Sequence, residues 1–330
     1  MPTGNGRRVL QRRWVTRAVI IAACLGIVLA GLAGVARYVT TYSLYRGFGA
    51  PALARTVVVH RDGVARRVPV IPAKVEHFTL ASRALGGYGD AVYVVLPPGY
   101  AAHPAHRYPV LYLLHGVPGY PSNFLTIGRA GILEAELVAA GRMQPMILVM
   151  PSGGRALLDD HEWANGVKPG NDWENFVAKD LVATIDARYR TIGSQGGRGL
   201  AGLSEGGYGS LNIGLHHPGE FALLESWSGY MRADRIAGIF GHSRRLLAYN
   251  SPADTVGPVA NQLRADRTYF WFYTGTGDRL KAQNQAFDSQ LGALDLQHHF
   301  LTRPGKHSWA LWRAEMPAAL VTASEHLAHG

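Results

Sequence analysis

A serine flanked by glycines is the first group in this chain whose type and spacing suggest chemistry: Gly202–Gly206 reads Gly-Leu-Ser-Glu-Gly. The pattern Gly-x-Ser-x-Gly is typical of a sharp turn between a strand and a helix that holds the serine hydroxyl out as a nucleophile. The two glycines let the strand and the helix pass closely without a Cβ clash. The alternative interpretation is a serine that only caps the start of a helix. The choice between the two depends on the rest of the chain.

A nucleophilic serine also needs backbone N–H groups that stabilise the oxyanion of a tetrahedral intermediate. The apolar run 109–114 ends in His115–Gly116 and leads into a loop that contains proline and glycine. A loop at this place supplies one amide, and the residue after the nucleophile supplies the other. We therefore predict the backbone N–H groups of Val117 and Glu205 as the two donors. An ordinary strand followed by a turn is the alternative.

An acid and then a histidine are expected after the serine along the chain. An uninterrupted apolar run followed by a Gly-x-Gly turn ends in Asp278. His307 lies in a loop between a predicted strand and the last predicted helix, where its ring can reach Ser204. His298 and His299 are poorer candidates, because neighbours on a strand point to opposite faces. Ser204, Asp278 and His307 are thus the predicted catalytic residues.

The elements that must position these residues alternate between short apolar runs and longer helical patterns. This alternation predicts one mostly parallel, doubly wound α/β sheet with both faces covered by helices. In such a sheet, functional groups lie at the carboxyl ends of the strands. The predicted strands are residues 92–96, 109–114, 146–150, 198–203, 222–227, 268–273 and 298–301. The predicted helices are residues 131–141, 173–189, 206–216, 281–293 and 309–329.

Residues 18–36 form a run of nineteen residues without a charge. As a helix, such a run nearly matches the hydrocarbon thickness of a bilayer, about 30 Å. Five arginines and no acid precede it, which favours a cytoplasmic N-terminus and an extracytoplasmic domain. We expect an uncleaved transmembrane helix; a cleaved signal sequence that ends at 34–36 and releases a secreted domain is the alternative. The predicted organisation is a basic tail (1–17), the membrane segment (18–36), a juxtamembrane linker (37–73) with a short strand at 56–60, and the α/β domain (74–330).

The composition excludes several classes of function. The formal net charge is +10, but five of these charges are the arginines before the apolar segment, which leaves +5 from residue 18 onward. No basic stretch interleaved with aromatic residues follows, so we expect no nucleic-acid partner. A single cysteine, Cys24, excludes an intrachain disulfide. The cluster Asp159–Glu162 lacks the helical spacing of a metal site, and we expect no metal and no organic cofactor.

The ordered set of motifs resembles the putative esterase family, which contains esterase D (S-formylglutathione hydrolase), bacterial feruloyl and siderophore esterases and the antigen 85 mycolyltransferases. The resemblance implies an α/β-hydrolase fold, with Ser204, Asp278 and His307 as triad and the amides of Val117 and Glu205 as oxyanion hole. The mycolyltransferases carry Glu as triad acid and Asp-Gly before the oxyanion loop, where this chain has Asp278 and His115–Gly116. The matching segments are Val94–Tyr100, Tyr108–Gly116, Asp172–Phe176, Gly202–Gly207, Gly275–Asp278 and Lys306–Trp309.

Together, these features predict a membrane-anchored, extracytoplasmic serine esterase that forms an acyl-enzyme on small-molecule, lipid or glycan esters. An acyltransferase that acts on cell-envelope acceptors is the first alternative, because the same acyl-enzyme can pass its acyl group to water or to an alcohol. A hydrolase-fold protein without activity, which binds envelope glycans or a protein partner, is the alternative of another class. The presence of a serine, an acid and a histidine in the required order favours the enzyme.

Overall fold

The structure is a computed structural model, and it describes residues 55–61, 64–154, 161–233 and 237–330. Strand formation follows the apolar runs of the sequence. Within the part described, the five strands at the middle of the main sheet consist almost wholly of buried residues. The strands are β1 (Thr56–Arg61), β2 (Val64–Pro69), β3 (Lys74–Ala81), β4 (Gly89–Leu96), β5 (Val110–Leu114), β6 (Ile147–Pro151), β7 (Arg198–Leu203), β8 (Leu223–Trp227), β9 (Tyr269–Gly275) and β10 (His298–Arg303).

Eight of these strands form one sheet in the order β10-β9-β8-β7-β5-β6-β4-β3. The six strands from β10 to β6 are parallel, whereas β4 and β3 are antiparallel additions at one edge. The strands β1 and β2 form a separate antiparallel hairpin. The mostly parallel sheet agrees with the prediction, and it brings the carboxyl ends of β5, β7, β8 and β9 to one edge.

Helices lie on both faces of the sheet. Leu200 on β7 belongs to the same buried cluster as Leu211 and Ile213, whereas the neighbouring Gly199 lies against Leu327. Successive strand residues point to opposite faces, so both faces of β7 are covered. The α-helices are α1 (Ser122–Thr126), α2 (Ala130–Ala139), α3 (Trp173–Asn175), α4 (Val182–Arg188), α5 (Glu205–His216), α6 (Ala237–Phe240), α7 (Arg244–Tyr249), α8 (Pro252–Ala265), α9 (Lys281–Ala293) and α10 (Trp309–His326).

The structure contains elements that were not predicted, in segments where the alternation of apolar and polar residues is weak. The predicted helix 173–189 contains a π-helical segment, Phe176–Leu181, between α3 and α4. Strand β3 was not predicted, because it lies at the sheet edge and five of its eight residues are exposed. Four helices were also not predicted; they are α1, α6, α7 and α8. These helices are either short or, in the case of α8, interrupted by Pro258, which obscures a helical pattern.

The predicted membrane segment, residues 18–36, lies outside the described residues. Among the residues that are described, no helix combines the length and the apolar character needed to cross a bilayer. The predicted linker 37–73 overlaps the hairpin of β1 and β2, whose first strand corresponds to the expected strand at 56–60.

Candidate active site

Ser204 lies directly between β7 and α5, in a backbone conformation that few L-residues adopt. Its torsion angles are φ 56° and ψ −118°, and the turn is held by a hydrogen bond from its N–H to the carbonyl of Trp227 (2.9 Å). Close packing against neighbouring backbone atoms requires glycine at both flanking positions of the motif. A Cβ on Gly202 would lie 2.2 Å from the carbonyl oxygen of Gly206, and one on Gly206 would lie 2.0 Å from that of Leu114. The motif therefore forms the strained strand–turn–helix that the sequence predicts.

The ring of His307 joins Ser204 to Asp278. Its Nε2 lies 2.8 Å from the Ser204 Oγ, and its Nδ1 lies 2.9 Å from the Asp278 Oδ2. Because a carboxylate only accepts hydrogen bonds, Nδ1 carries the proton and Nε2 is left to accept from the serine hydroxyl. The structure thus brings together the three residues that the sequence singled out, over separations of 103 and 29 positions.

Asp278 is held in a buried turn after β9. The side chain is fully buried, whereas a quarter of the His307 side chain is exposed. Burial alone raises the pKa of Asp278, but the hydrogen bond and charge of His307 and the N–H of Leu280 lower it below its ordinary value. The Leu280 N–H donates to Oδ1 at 2.9 Å. Asp278 is therefore a carboxylate at neutral pH, oriented through both of its oxygens.

Other candidates that the sequence offered lie elsewhere. Asp254 pairs with Arg232, and Asp288 pairs with His298. Of the described aspartates, only Asp278 is hydrogen-bonded to His307.

The loop after β5 approaches Ser204 closely. A Cβ on Gly116 would lie 2.9 Å from the Cβ of Ser204 and 3.0 Å from the carbonyl oxygen of Leu203. This contact places the peptide between Gly116 and Val117 beside the serine. Glu205, the other predicted donor, is the first residue of α5. Both predicted amides therefore belong to segments that border Ser204.

His115 fixes the orientation of this loop, a role that the sequence analysis missed. Its Nδ1 donates to the carbonyl of Gly116 (3.1 Å), and its Nε2 accepts from the N–H of Gly153 (3.0 Å). Burial lowers the pKa of His115 to about 4, partly opposed by the bond to Gly116, so the ring is neutral and can make both bonds. In a trans peptide the C=O and the next N–H point in opposite directions. The N–H of Val117 therefore points away from the His115 ring.

A second buried charge cluster anchors the far end of α5. Glu174 accepts from the Nδ1 of His216 (2.7 Å) and the Nε2 of His217 (3.0 Å). The Nε2 of His216 also lies 2.7 Å from the carbonyl oxygen of Tyr249. Burial raises the pKa of Glu174, but the bonds and charges of the two histidines outweigh it and lower the pKa to about 2. The sequence indicated only that Glu174 lies in the first turn of a helix.

The structure offers no support for a metal site among the residues that it describes: no group of three or more His, Cys, Asp or Glu side chains there could hold an ion. Asp159 and Asp160 of the weak acidic cluster lie outside the described residues. The ring of His161 stacks on Trp173, with centroids 4.8 Å apart.

Comparison with known proteins adds independent information. A family model described as Putative esterase matches residues 88–323 of the chain. Esterase Rv1288 of Mycobacterium tuberculosis (strain ATCC 25618 / H37Rv) is 37% identical over 156 residues, which are 47% of this chain and 32% of that protein. The chain thus spans about a third of the length of this curated relative.

Solved structures share the fold. A ferulic acid esterase superposes with a TM-score of 0.68 at 28% identity, covering 78% of this chain and 100% of the other. An S-formylglutathione hydrolase from Agrobacterium tumefaciens gives a TM-score of 0.66 at 17% identity, covering 78% and 97%. These likenesses confirm the predicted α/β-hydrolase fold for the sheet and its helices.

Proposed function

This chain belongs to the putative esterase family, and on that basis we propose that it is a carboxylic ester hydrolase that cleaves its esters through an acyl-enzyme on Ser204. In this proposal, His307 is the general base, Asp278 holds its ring, and the amides of Val117 and Glu205 stabilise the oxyanion. The observation that carries the proposal is the continuous pair of hydrogen bonds, 2.8 Å and 2.9 Å, from the serine through the histidine to a buried carboxylate.

The geometry allows each step to be assigned to an atom. The Nε2 of His307 takes the hydroxyl proton while the Ser204 Oγ attacks the ester carbonyl carbon. The negative charge on the carbonyl oxygen is stabilised by the two amides, and the His307 imidazolium by the Asp278 carboxylate. His307 then gives its proton to the leaving alkoxide, and the acyl-enzyme forms. Water, deprotonated by the same nitrogen, releases the acid and restores the serine.

A fluorophosphonate probe tests the proposal, because it forms a covalent bond only with an activated serine. We expect the full-length protein to be labelled at Ser204 and to cleave short-chain aryl esters. Ser204→Ala should lose labelling and at least about 10⁴-fold in kcat. Ser289→Ala is the matched control, because Ser289 is exposed on α9 and bonds only to the carbonyl of Gln285.

Folded wild-type protein that is neither labelled nor active would contradict the triad assignment and favour the binding-protein alternative. The ester panel should include a feruloyl ester, because a relative and a solved structure are named feruloyl or ferulic acid esterases. Acceptor alcohols added to the same assay distinguish transfer from hydrolysis, since a transferase releases the acyl group as a new ester.

The membrane location is a separate part of the proposal. It is supported by the uncharged run 18–36 and by the five arginines before it. Protease added to intact cells should digest the esterase domain and leave cytoplasmic control proteins whole. Full protection of the domain would contradict the extracytoplasmic location. Recovery of the domain in the soluble fraction with a new N-terminus near residue 37 would indicate cleavage instead of anchoring.

A further inference from the structure

Ser228 is a second serine held in a left-handed backbone conformation beside the site. It follows β8 directly, its φ is 57°, and it is completely buried. A positive φ at a residue other than glycine costs free energy and persists only where the surroundings enforce it. The proposed reaction does not use this residue.

The sheet register places Ser228 next to Ser204. The strands β7 and β8 pair Gly202 with Ser226 and Leu203 with Trp227, so the two serines come one step later at neighbouring strand ends. The N–H of Ser228 donates to the carbonyl of Tyr273 (2.8 Å). Tyr273 lies on β9, the strand that leads to Asp278. Ser228 is therefore fixed between the strand that carries the nucleophile and the strand that carries the acid.

The Ser228 hydroxyl lacks a hydrogen-bond partner with normal geometry among the described residues, and its oxygen is buried. It lies close enough to the Asp278 carboxylate, however, to help lower the pKa of that group. The two carboxylate oxygens accept one hydrogen bond each, from His307 and Leu280. A carboxylate offers about four acceptor positions, so a third donor can be accommodated.

We propose that Ser228 is a positioning residue for the triad acid: its hydroxyl donates a hydrogen bond to the Asp278 carboxylate and thereby sets how strongly that carboxylate holds the His307 proton. This inference rests on the proposed function of Asp278 and His307. The backbone of Ser228 is fixed by its bond to Tyr273, so the contact requires adjustment of the side chain alone.

Loss of the Ser228 hydroxyl should change how the rate depends on pH. Without the donor, the carboxylate is less stabilised and attracts the His307 proton more strongly. The acidic limb of kcat/KM should then move to higher pH by about half a unit, so that rates measured below the limb fall about threefold. KM should change little, because Ser228 is buried and does not reach substrate. A residue with only a structural role would lower stability and leave the pH profile in place.

Two substitutions distinguish the effect of the Ser228 hydroxyl from the effect of its backbone strain. Ser228→Ala removes the hydroxyl and keeps the unfavourable φ, whereas Ser228→Gly removes the hydroxyl and relieves the strain. Both variants should show the same shift of the acidic limb, although the glycine variant should be the more stable. Ser226→Ala is the matched control: Ser226 is equally buried on the same strand and also makes no hydrogen bond with the described residues, but its Oγ lies beside Gly207 and Gly229.

The measurements are pH–rate profiles on a short-chain aryl ester and a nitrogen-15 NMR titration of the His307 ring, which needs no turnover. Unchanged limbs and an unchanged ring titration in both folded Ser228 variants would overturn the inference. A shift of the same size in Ser226→Ala would also overturn it. Absence of labelling and turnover in the wild type would instead refute the proposed function, and the ring titration alone would then decide on Ser228.

Discussion

Ser204 and Ser228 are the same residue type, at neighbouring strand ends, with φ angles of 56° and 57°. Their surroundings differ. Ser204 directly precedes a twelve-residue helix, lies against Gly116 of the loop after β5, and has its hydroxyl within hydrogen-bond distance of the His307 Nε2. Ser228 is followed by Gly229, which packs against Gly207 and Tyr208, and it is fully enclosed.

The difference shows that strain does not by itself make a serine a nucleophile. Ser204 has a histidine nitrogen within hydrogen-bond distance, a helix N-terminus directly after it and the loop after β5 beside it. Ser228 has only a carboxylate near its hydroxyl, and a carboxylate already engaged by His307 is a weak base. The proposed nucleophile and the proposed positioning residue are therefore distinguished by what the tertiary structure places around two similar turns.

After the loss of the nucleophile itself, the largest expected effect is at Asp278, which is linked to both serines in the proposed mechanism. Asp278→Asn replaces the acceptor for the Nδ1 proton by an amide and should lower kcat by at least two to three orders of magnitude, compared with about 10⁴ in a serine protease. Circular dichroism should show an intact fold. Asp254→Asn, Asp288→Asn and Asp295→Asn should each stay within a few-fold of wild type. Near-normal kcat in Asp278→Asn would mean that the triad acid is misassigned.

The next prediction concerns α5, the helix that connects β7 to β8 along the chain. Glu174 holds the end of α5, and its pKa of about 2 lies below the ordinary value of 4.5. A lowered pKa stabilises the fold above the unfolded pKa, and this stability is lost as pH falls from about 4.5 to 2. The free energy of unfolding should decrease by about 3 kcal/mol over that window. Denaturant titrations should show a weaker decrease in Glu174→Gln; equal slopes in both proteins would refute this assignment.

Gly116, in the loop after β5, lies directly against Ser204. Gly116→Ala places a methyl group 2.9 Å from the Ser204 Cβ and should push the loop outward. Because an oxyanion donor acts mainly in the transition state, kcat should fall about 10²-fold with little change in KM. Gly257→Ala is the control, since no atom lies within 4 Å of its added Cβ, and it should retain full activity. A rise in KM alone would place the loop in substrate binding.

The smallest effect tests whether the two turns are strained to a similar degree. Replacing either Ser204 or Ser228 by glycine relieves the positive φ and should raise the free energy of unfolding by about 1 kcal/mol. Thermal and denaturant unfolding of the two variants provide the measurement. A gain in the free energy of unfolding at only one position would show that the two turns differ in strain energy although their φ angles are similar.

Much of this site was accessible from sequence, because its signals are local. The Gly-x-Ser-x-Gly motif, the apolar run before Asp278 and the loop position of His307 each follow from short-range sterics and strand patterns. The predicted strand 198–203 coincides with β7, and the predicted helix 281–293 coincides with α9. Apolar runs determine buried parallel strands, and the carboxyl ends of such strands must share an edge.

Only the tertiary structure decided what lies between those ends. The bond from His115 to Gly153, the pairing of Glu174 with His216 and His217, and the position of Ser228 between β7 and β9 all join residues whose contact depends on strand order. Sequence patterns report which residues are buried and how the chain turns, but they do not report which strand lies beside which. The choice of neighbours is made by packing across the whole sheet, and it is this choice that makes one strained serine a candidate nucleophile and leaves the other beside the acid.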